Sequence, residues 1–461
     1  MRRAVLVIVL LATGCVIGPG RGYRVRERLS ADPFPRLVTS PREGIASEDL
    51  LSAAPPPPLM SPEVAEPETI ERRLANGVRV LILPRHGFPS ATVYFVIHGT
   101  SGTPPAVSLV FARTLGAGGD EHALRYDAAE AGLTTWGDGL AVRVTALSPV
   151  IVSSAARFFE LAVSPAVGAD VLTRAKASVR VVATRSSPLK TASVTLWSSM
   201  FPRGHAYHAQ GEGIAVGEVD AVDGAALTAF RDRYLTTSNV SVVAVGDVDA
   251  EVLVRALDRS LAALPRVPRA PAPTAAQLLP ATSCSDRIET VNYVGAKQAS
   301  FAIGYPTVPA AHVETVTLEL LVAVAVARLN GLRYGLGATS GLGASLVPMR
   351  DAGFLQVYGT ADPARTAEVL ARATAQLDSL RTQPVSDEEL EAAKAGVTRY
   401  VSTRAAAAGL AWEAVVELPT SAIASHSQRT RQLSAEDVRA AAERYLVTER
   451  RCVVVVMDGR K

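Results

Sequence analysis

Two segments of the chain repeat each other at a domain-sized offset. In the first, a run of helix-forming residues ends in Tyr234-Leu235 and leads into the apolar stretch Val240 to Val245. In the second, a similar run ends in Tyr445-Leu446 and leads into Cys452 to Val456. Self-similarity at a fixed offset indicates duplicated architecture. The sequence therefore predicts two copies of one α+β unit, with the function in one copy, in the other or in the cleft between them.

The composition is that of an ordinary globular protein. The chain has 461 residues, of which 48% are hydrophobic and 20% charged, so it can build two substantial cores. The net charge is only +3 and aromatic residues make up 5%. A nucleic-acid-binding protein would need a basic surface, and base stacking would need aromatic side chains. We therefore expect no nucleic-acid partner.

The first 15 residues have the pattern of an export signal. Arg2-Arg3 form a charged start, Ala4 to Leu11 are apolar, and Ala12-Thr13-Gly14 are small residues before Cys15. This arrangement resembles the bacterial lipoprotein box, although Ala12 stands where Leu is usual. The resemblance implies that Cys15 is lipidated and that the chain is anchored in the cell envelope. Val16 after that cysteine favours the outer membrane, facing the periplasm. The alternative is an ordinary secretory signal with an incidental cysteine.

Proline-rich stretches divide the rest of the chain. Residues 16–67 contain Pro55 to Pro58 and little apolar periodicity, which predicts an extended spacer. A second proline-rich stretch falls where the duplication requires a linker. The predicted organisation is a signal peptide (1–15), a spacer (16–67), a first domain (68–265), a linker (266–286) and a second domain (287–461).

The cysteines other than Cys15 are Cys284 and Cys452. An exported protein could pair them. Cys284 lies in a Ser/Thr-rich segment and Cys452 opens an apolar strand, so the sequence gives no reason for their Cα atoms to be close. We therefore expect two unpaired thiols.

Periodicity and turn signals predict an α+β order in both halves. Asn76-Gly77 between two apolar runs is a strong hairpin signal. Ser386 with Glu389 three residues later predicts a helix start, and so does Ser434. The predicted strands are 70–74, 78–83, 91–97, 140–147, 288–293, 299–304, 334–346 and 354–360. The predicted helices are 105–115, 149–162 with Ser148 as N-cap, 171–184, 192–200, 224–234, 313–329 and 363–380.

Several of these segments together resemble the M16 family of zinc metallopeptidases, the pitrilysin and mitochondrial-processing-peptidase group. The similar segments are the hairpin Leu74 to Val80, the strand end Val242 to Asp249, the segment Gly331 to Gly335 and the helix start Pro384 to Leu390. The resemblance covers residues 68–461. It implies two metallohydrolase-like α+β domains that form a clamshell.

In that family a helix carries the zinc motif His-x-x-Glu-His, and a Glu on a later helix completes the site. The imidazoles and that carboxylate bind the metal and leave a position open for water, whose proton the motif Glu takes. Here the matching positions are Leu109, Ala112 and Arg113, and the segment 179–185 has no carboxylate. The resemblance thus implies zinc, but the sequence lacks its ligands. We expect no cofactor, no metal site and no catalytic residue.

Two other groups of residues are candidates for a site. The resemblance implies a substrate-binding Tyr and Arg in the second domain, which Tyr334 matches, with Arg328 and Arg333 close to the Arg position but out of register. The second group is His205, His208 and Glu212, which could supply displaced zinc ligands. A loop signal at residues 201–204 argues against a ligand helix there.

The leading interpretation is a noncatalytic M16-like lipoprotein. It would be the partner subunit of an active M16 peptidase, or a substrate-binding component that receives peptides or unfolded polypeptides. Two alternatives remain. The chain could be an active zinc metalloendopeptidase with displaced ligands, or an envelope scaffold or binding protein without a proteolytic role.

Overall fold

The computed structural model describes residues 68–117, 127–163, 168–211, 213–268, 284, 287–337, 339–398 and 403–459. All of them belong to one compact unit that spans Glu66–Lys461. The predicted signal peptide, with Cys15, and the predicted spacer lie outside the described residues.

The first half of the chain forms a six-stranded mixed sheet. Its strands follow the spatial order β1-β2-β6-β3-β5-β4. β1 and β2 form the predicted hairpin around Asn76-Gly77, where Gly77 has a φ of 98°. β6 pairs parallel with β2 and antiparallel with β3. The strands are β1 (Ile70–Arg73), β2 (Arg79–Pro84), β3 (Ser90–His98), β4 (Glu130–Trp136), β5 (Gly139–Leu147) and β6 (Val240–Gly246).

The second half forms a five-stranded sheet with the same topology. Its spatial order is β7-β11-β8-β10-β9. β11 pairs parallel with β7 and antiparallel with β8, just as β6 pairs with β2 and β3. The duplication predicted from the two similar segments is therefore present in the sheets. The strands are β7 (Ile288–Asn292), β8 (Ala299–Thr307), β9 (Gly341–Pro348), β10 (Gly353–Ala361) and β11 (Cys452–Met457).

Helices cover both faces of each sheet. The first half contains α1 (Pro105–Ala117), α2 (Ser148–Ala162), α3 (Ala169–Thr184), α4 (Pro188–Met200), α5 (His208–Gly211), α6 (Val216–Ala221), α7 (Gly224–Tyr234) and α8 (Ala250–Ser260). The second half contains α9 (Thr315–Leu336), α10 (Thr366–Thr382), α11 (Asp387–Thr398), α12 (Thr403–Val415), α13 (Thr420–Gln432) and α14 (Ala435–Tyr445).

One helix from each half packs on the sheet of the other half. α4 lies against β8, β10 and β11 of the second sheet, and α12 lies against β3, β5 and β6 of the first. The contact of α4 is built from Ala192, Leu196 and Met200, all fully buried, next to Phe354 and Val454. In the other contact, α12 contributes the buried residues Ala407, Leu410, Ala411 and Ala414. The first sheet contributes Leu81, Tyr94, Val96, Val243 and Val245. Each half therefore supplies part of the core of the other.

The exchanged helices approach their sheets closely at glycines. A Cβ placed on Gly304 of β8 would lie 3.0 Å from the Met200 sulfur and 3.1 Å from a Leu196 methyl group. A Cβ on Gly139 of β5 would lie 3.0 Å from a Val415 methyl group. Real Cβ contacts are rarely this short, so a larger residue at either position would force neighbouring atoms to shift, including the Ile97 backbone beside Gly139.

Most predicted elements are present, and three details of the prediction were wrong. The predicted strand 334–346 starts too early, because α9 runs on to Leu336 and β9 begins only at Gly341. Ser148 is the first residue of α2 rather than its N-cap, and its hydroxyl donates to Asp247 instead (2.7 Å). β4, α5, α6, α12 and α13 were not predicted. The capping boxes at Ser386 and Ser434 are confirmed.

The two cysteines of the folded part form a disulfide, so the expectation of unpaired thiols was wrong. The Cα atoms of Cys284 and Cys452 lie 4.9 Å apart. The parallel pairing of β7 with β11 begins at Ile288 opposite Val453, which brings the segment before β7 next to Cys452. A single sequence does not reveal this pairing.

Among the described residues, one helical segment has the length and composition of a membrane span. This segment, Thr315–Arg333 of α9, is 56% buried inside the fold. Several of its side chains, such as Leu318 and Leu321, belong to the core beneath the second sheet. α9 is thus accounted for as a core helix.

Replacement of Leu196 by Ala tests the exchanged packing of α4. Leu196 is fully buried between α4 and the second sheet, so we expect the Leu196→Ala variant to lose about 2–5 kcal/mol of unfolding free energy. Urea denaturation followed by circular dichroism measures this loss. The control is Val181→Ala at an exposed position of α3, which should change stability by less than about 0.5 kcal/mol. Equal losses in the two variants would show that α4 does not pack on the second sheet.

Candidate functional site

The helix that matches the zinc-motif positions is α1, and it is packed into the first core. Ala112 is buried, Leu109 is half-buried against the core, and Arg113 is exposed. Phe111 of the same helix stacks on Phe230 with ring centroids 4.6 Å apart. Two of the three motif positions thus carry hydrocarbon and the third carries a cation. None of them can ligate zinc.

α3, which would carry the last zinc ligand, packs against α1. Val179 is buried in the shared core, and Arg180 points to Asp220 with a 2.6 Å ion pair. Among the residues that the structure describes, there is no group of three or more His, Cys, Asp or Glu side chains able to hold a metal ion. The family's two site helices are therefore adjacent, but the residues present do not fit zinc.

The two histidines considered as displaced ligands take part in local packing. His205 is buried, its ring lies 4.8 Å from that of Phe201, and its Nδ1 accepts a hydrogen bond from the Tyr207 backbone N–H (3.1 Å). The Nδ1 of His208 lies 2.7 Å from the Phe201 carbonyl oxygen, so it donates there. Glu212 lies outside the described residues. Each of these contacts uses one ring nitrogen of the histidine.

The predicted substrate-binding residues lie at the end of α9. Arg328 makes two hydrogen bonds to the Glu389 carboxylate (2.8 and 3.0 Å) and one to Ser379 (3.1 Å). The Arg328 guanidinium lowers the pKa of Glu389, whose carboxylate also caps α11. Arg328 thus joins α9 to α11. Tyr334 lies in the last turn of α9 rather than at a strand start, and Arg333 is half-buried nearby.

A cavity of about 560 Å³ opens beside Arg328. It lies between α9 and α10. Its charged lining residues are Arg328, Arg365, Glu368 and Arg372, and Gly331 and Leu332 line it as well. Arg365 and Glu368 pair across one helical turn at 2.9 Å. The cavity is thus close to one of the predicted substrate-binding residues, although most of its charges already have partners.

A buried polar cluster joins the two halves where equivalent hairpin turns meet. Asp138 lies in the turn between β4 and β5, and Arg350 and Asp351 lie in the turn between β9 and β10. The Tyr207 hydroxyl donates to one carboxylate oxygen of Asp138 (2.6 Å), and the Arg350 backbone N–H donates to the other (2.8 Å). The Asp351 N–H donates in turn to the Tyr207 oxygen (3.1 Å). We call Asp138, Tyr207, Arg350 and Asp351 the junction cluster.

Burial dominates the electrostatics of the junction cluster. Asp138 is only 1% exposed, and this burial raises the pKa of its carboxyl to about 6 although Tyr207 and Arg350 favour the ionised form. The same burial, with the Asp138 carboxylate beside it, raises the pKa of Tyr207. The Arg350 guanidinium pairs with Asp351 at 2.6 Å. The sequence analysis missed this cluster, because its members are far apart in the chain and belong to no motif.

Two further ion pairs link the first sheet and α9 to the helices near the C-terminus. His98, at the end of β3, lies 2.7 Å from Glu417, which follows α12. His426 of α13 lies 2.6 Å from Glu319 of α9, and this contact raises the pKa of His426. Near His426 and Glu319, burial raises the pKa of the Glu413 carboxyl to about 7. The polar groups buried in the fold thus connect its halves rather than converge on one reactive centre.

The junction cluster predicts a pH dependence of stability. The folded-state pKa of Asp138 is raised above its unfolded value of 3.8, so its favourable contribution is complete below about pH 4 and is lost as pH rises through about 6. This loss amounts to roughly 3 kcal/mol. In an Asp138→Asn variant the titrating group is absent. We therefore expect the stability of the variant relative to wild type to increase between pH 4 and pH 7, as measured by urea denaturation across that range.

The matched control for this experiment is Asp170→Asn. Arg174 lowers the pKa of Asp170, so the stability from this exposed pair is present above about pH 4 and is lost as pH falls. Between pH 4 and pH 7 the stability of Asp170→Asn relative to wild type should therefore stay constant, and it should increase only as pH falls below about 4. A parallel pH dependence of wild type and Asp138→Asn would contradict the shifted titration of Asp138.

Comparisons with known proteins agree with this geometry. Residues 221–397 match the family model described as "Peptidase M16 inactive domain". The matched part begins at the end of α6 and ends in α11, so it does not include α1. No curated protein matches the chain.

Solved structures match nearly the whole described fold. One is a peptidase M16 inactive domain from Pseudomonas fluorescens, with 20% identity, 84% of this chain and 97% of that chain covered, and a TM-score of 0.74. A chain of complex III from Candida albicans matches with 13% identity, 84% and 95% coverage and a TM-score of 0.69. The periplasmic protease PqqL from Escherichia coli matches with 16% identity, 85% and 45% coverage and a TM-score of 0.65.

These identities establish the fold, and the family model establishes the type of domain for the residues that it matches. The expectation of two M16-type α+β domains is confirmed at the level of the fold. The chain thus has the fold of M16 domains, its residues 221–397 match the M16 inactive-domain type, and its first half lacks the His-x-x-Glu-His motif.

Proposed function

We propose that the chain is the noncatalytic partner subunit, or a substrate-binding component, of a zinc-protease complex in the cell envelope. The observation that carries this proposal is α1. The helix keeps its place against α3, but Leu109, Ala112 and Arg113 occupy the positions of the metal ligands and the general base. The chain thus retains the architecture that would enclose a peptide and lacks the groups that would cleave it.

A partner role is supported by the kinds of proteins that share the fold. One of them is a chain of complex III, a multisubunit assembly, and another is a periplasmic protease. We infer an active M16 peptidase as the partner, because it would supply the missing ligands. Peptides or unfolded polypeptides are the corresponding substrate class, with Tyr334, Arg328 and Arg333 as proposed contacts from the second half.

An envelope location is supported by two further observations. The disulfide between Cys284 and Cys452 is typical of proteins that fold in an oxidising compartment. The likeness to a periplasmic protease points the same way. We propose a lipid anchor at Cys15 and the outer membrane as the site of attachment, as the lipoprotein-like N-terminus suggests.

Of the two alternatives, an active peptidase with displaced ligands is the less favoured, because the described residues contain no group of three or more His, Cys, Asp or Glu side chains that could hold a metal ion. A scaffold without a proteolytic role is compatible with the same fold. It differs from the partner model in one testable respect, since it requires no active M16 subunit.

Metal analysis and a peptide digest distinguish these models. We expect the purified protein to contain far less than one zinc per chain and to cleave no peptide, because α1 offers no ligand. We also expect it to co-purify with an M16 protein that carries an intact His-x-x-Glu-His motif. His205→Ala and His208→Ala variants should have the same metal content as wild type. The noncatalytic model would be contradicted if the wild-type protein contained stoichiometric zinc and cleaved peptides in a chelator-sensitive way, and if both properties were lost in these two variants. Failure to recover an active M16 subunit would favour the scaffold.

The anchor is tested by replacement of Cys15. The wild-type protein should sediment with outer membranes and incorporate labelled fatty acid. The Cys15→Ala variant should lose the label and leave the membrane fraction, because no thiol remains to be acylated. A Cys284→Ala variant is the matched control, since it removes a cysteine outside the signal and should keep the label. An unlabelled wild-type protein would support the ordinary secretory signal instead.

A further inference from the structure

The disulfide lines an open cavity at the edge of the second sheet. The cavity has a volume of about 600 Å³ and is bounded by both cysteines. The other lining residues used here are Ser199 at the end of α4 and Arg287 and Glu289 beside β7. A cavity of this size admits a small thiol reagent, so the disulfide is reachable from solvent without unfolding.

The two sulfur atoms differ in their surroundings. Cys452 is only 1% exposed, because it begins β11, which is paired on both sides. Cys284 is half-buried, and its sulfur lies 3.7 Å from the Ser199 carbonyl oxygen. An incoming thiolate would therefore meet the Cys284 sulfur first.

Charged groups in the cavity affect an approaching thiolate. The Cys284 carbonyl accepts a hydrogen bond from the Arg287 N–H (2.9 Å), and this turn places Arg287 next to the disulfide. A nearby guanidinium stabilises a thiolate. Glu289 has the opposite charge, and its carboxylate accepts a hydrogen bond from the Ser199 hydroxyl (2.9 Å). The cavity thus contains one group that attracts the nucleophile and one that repels it.

We propose that the Cys284–Cys452 disulfide is a thiol–disulfide exchange site that reacts with a dithiol. One thiolate of the dithiol attacks the Cys284 sulfur, the bond between the two cysteine sulfurs breaks, and Cys452 leaves as a thiolate that takes up a proton. The second thiol of the dithiol then attacks the reagent sulfur that is bonded to Cys284. Cys284 leaves as a thiolate and takes up a proton. The dithiol is oxidised to a disulfide and the protein gains two thiols, so that electrons and protons balance.

Reduction frees Cys284 from β11 and leaves the sheet paired. β7 remains joined to β11 over five residue pairs, from Ile288 opposite Val453 to Asn292 opposite Met457. Residue 284, at the end of the predicted linker, loses its covalent attachment to β11. The disulfide thus decides whether Cys284 is covalently fixed to β11.

The proposal is tested on the full native protein with two sources of dithiol. Dithiothreitol probes access for a small molecule, and purified reduced thioredoxin probes access for a protein dithiol. The new thiols are alkylated with iodoacetamide and counted by mass spectrometry. We expect both cysteines to be alkylated together while circular dichroism and urea stability show a folded protein. Reduction by dithiothreitol alone would restrict the site to small dithiols. Reduction only under denaturing conditions would overturn the proposal.

Charge variants test the assigned roles of the cavity residues. Arg287→Glu should slow native reduction by roughly fivefold, and Glu289→Gln should accelerate it by a similar factor, as expected for one charge interaction near a solvated surface. Arg372→Glu, in the cavity between α9 and α10, is the matched control and should leave the rate unchanged. Equal rates in all four proteins would contradict attack through this cavity.

A disulfide-free variant tests the consequence for the linker. The Cys284→Ser protein should fold, and its hydrogen exchange should match that of the reduced native protein. We expect faster exchange than in the oxidised protein only at residues 287–292 and in the last turn of α4. If the variant fails to fold, the reduced native protein gives the same comparison. Faster exchange throughout the second sheet would show a purely structural disulfide. None of these measurements involves zinc or a partner subunit, so they stand apart from the proposed function.

Discussion

The fold depends on the exchange of one helix between its two halves. Every strand of a mixed sheet has two faces, and apolar residues on both faces must be covered. In β6 all seven residues are buried, with Val242 and Ala244 in the core of the first half and Val243 and Val245 under α12 of the second. β8 and β11 have the same arrangement under α4. Neither sheet can complete its core from its own half. The predicted domain boundaries therefore mark regions of sequence, whereas the folding unit contains both halves.

This exchange also explains where the buried polar groups lie. When each half reaches across to the other, the equivalent hairpin turns and helix ends meet between the sheets, and their backbone and side-chain polar groups lose water. Such groups are costly unless they are hydrogen-bonded. In the junction cluster both oxygens of the Asp138 carboxylate have donors, from Tyr207 and from the Arg350 backbone. Burial raises the pKa of Asp138 although both bonds favour its ionised form. The hydrogen bonds of the junction cluster thus supply partners to a carboxyl group buried between the two hairpin turns.

The sequence predicted those parts of the structure that local rules control. Asn76-Gly77 specifies a hairpin, Ser386 and Ser434 specify helix starts, and the repeat of Tyr234 at Tyr445 specifies the duplicated topology. Prediction from the sequence failed for the features that depend on contacts between residues far apart in the chain. α12 is rich in Ala and covers a sheet, so it shows little of the amphipathic pattern that marks a surface helix. The disulfide and the junction cluster join residues from separate parts of the chain, and no spacing rule connects them. The candidate site was predictable in one respect, because the absence of zinc ligands is visible in the residues of α1 alone.

The same helix shows why the architecture can persist without the metal. In small zinc domains the ion is part of the folding energy, and loss of its ligands unfolds the protein. Here α1 is fixed by apolar packing, with Phe111 stacked on Phe230 and Ala112 buried against the core. Leu109 and Ala112, at two of the motif positions, are apolar and pack in or against the core, and Arg113 at the third is exposed. These replacements therefore remove the chemistry without removing support for the helix. The apolar packing of α1 thus keeps the helix in its place against α3 although its residues do not fit zinc.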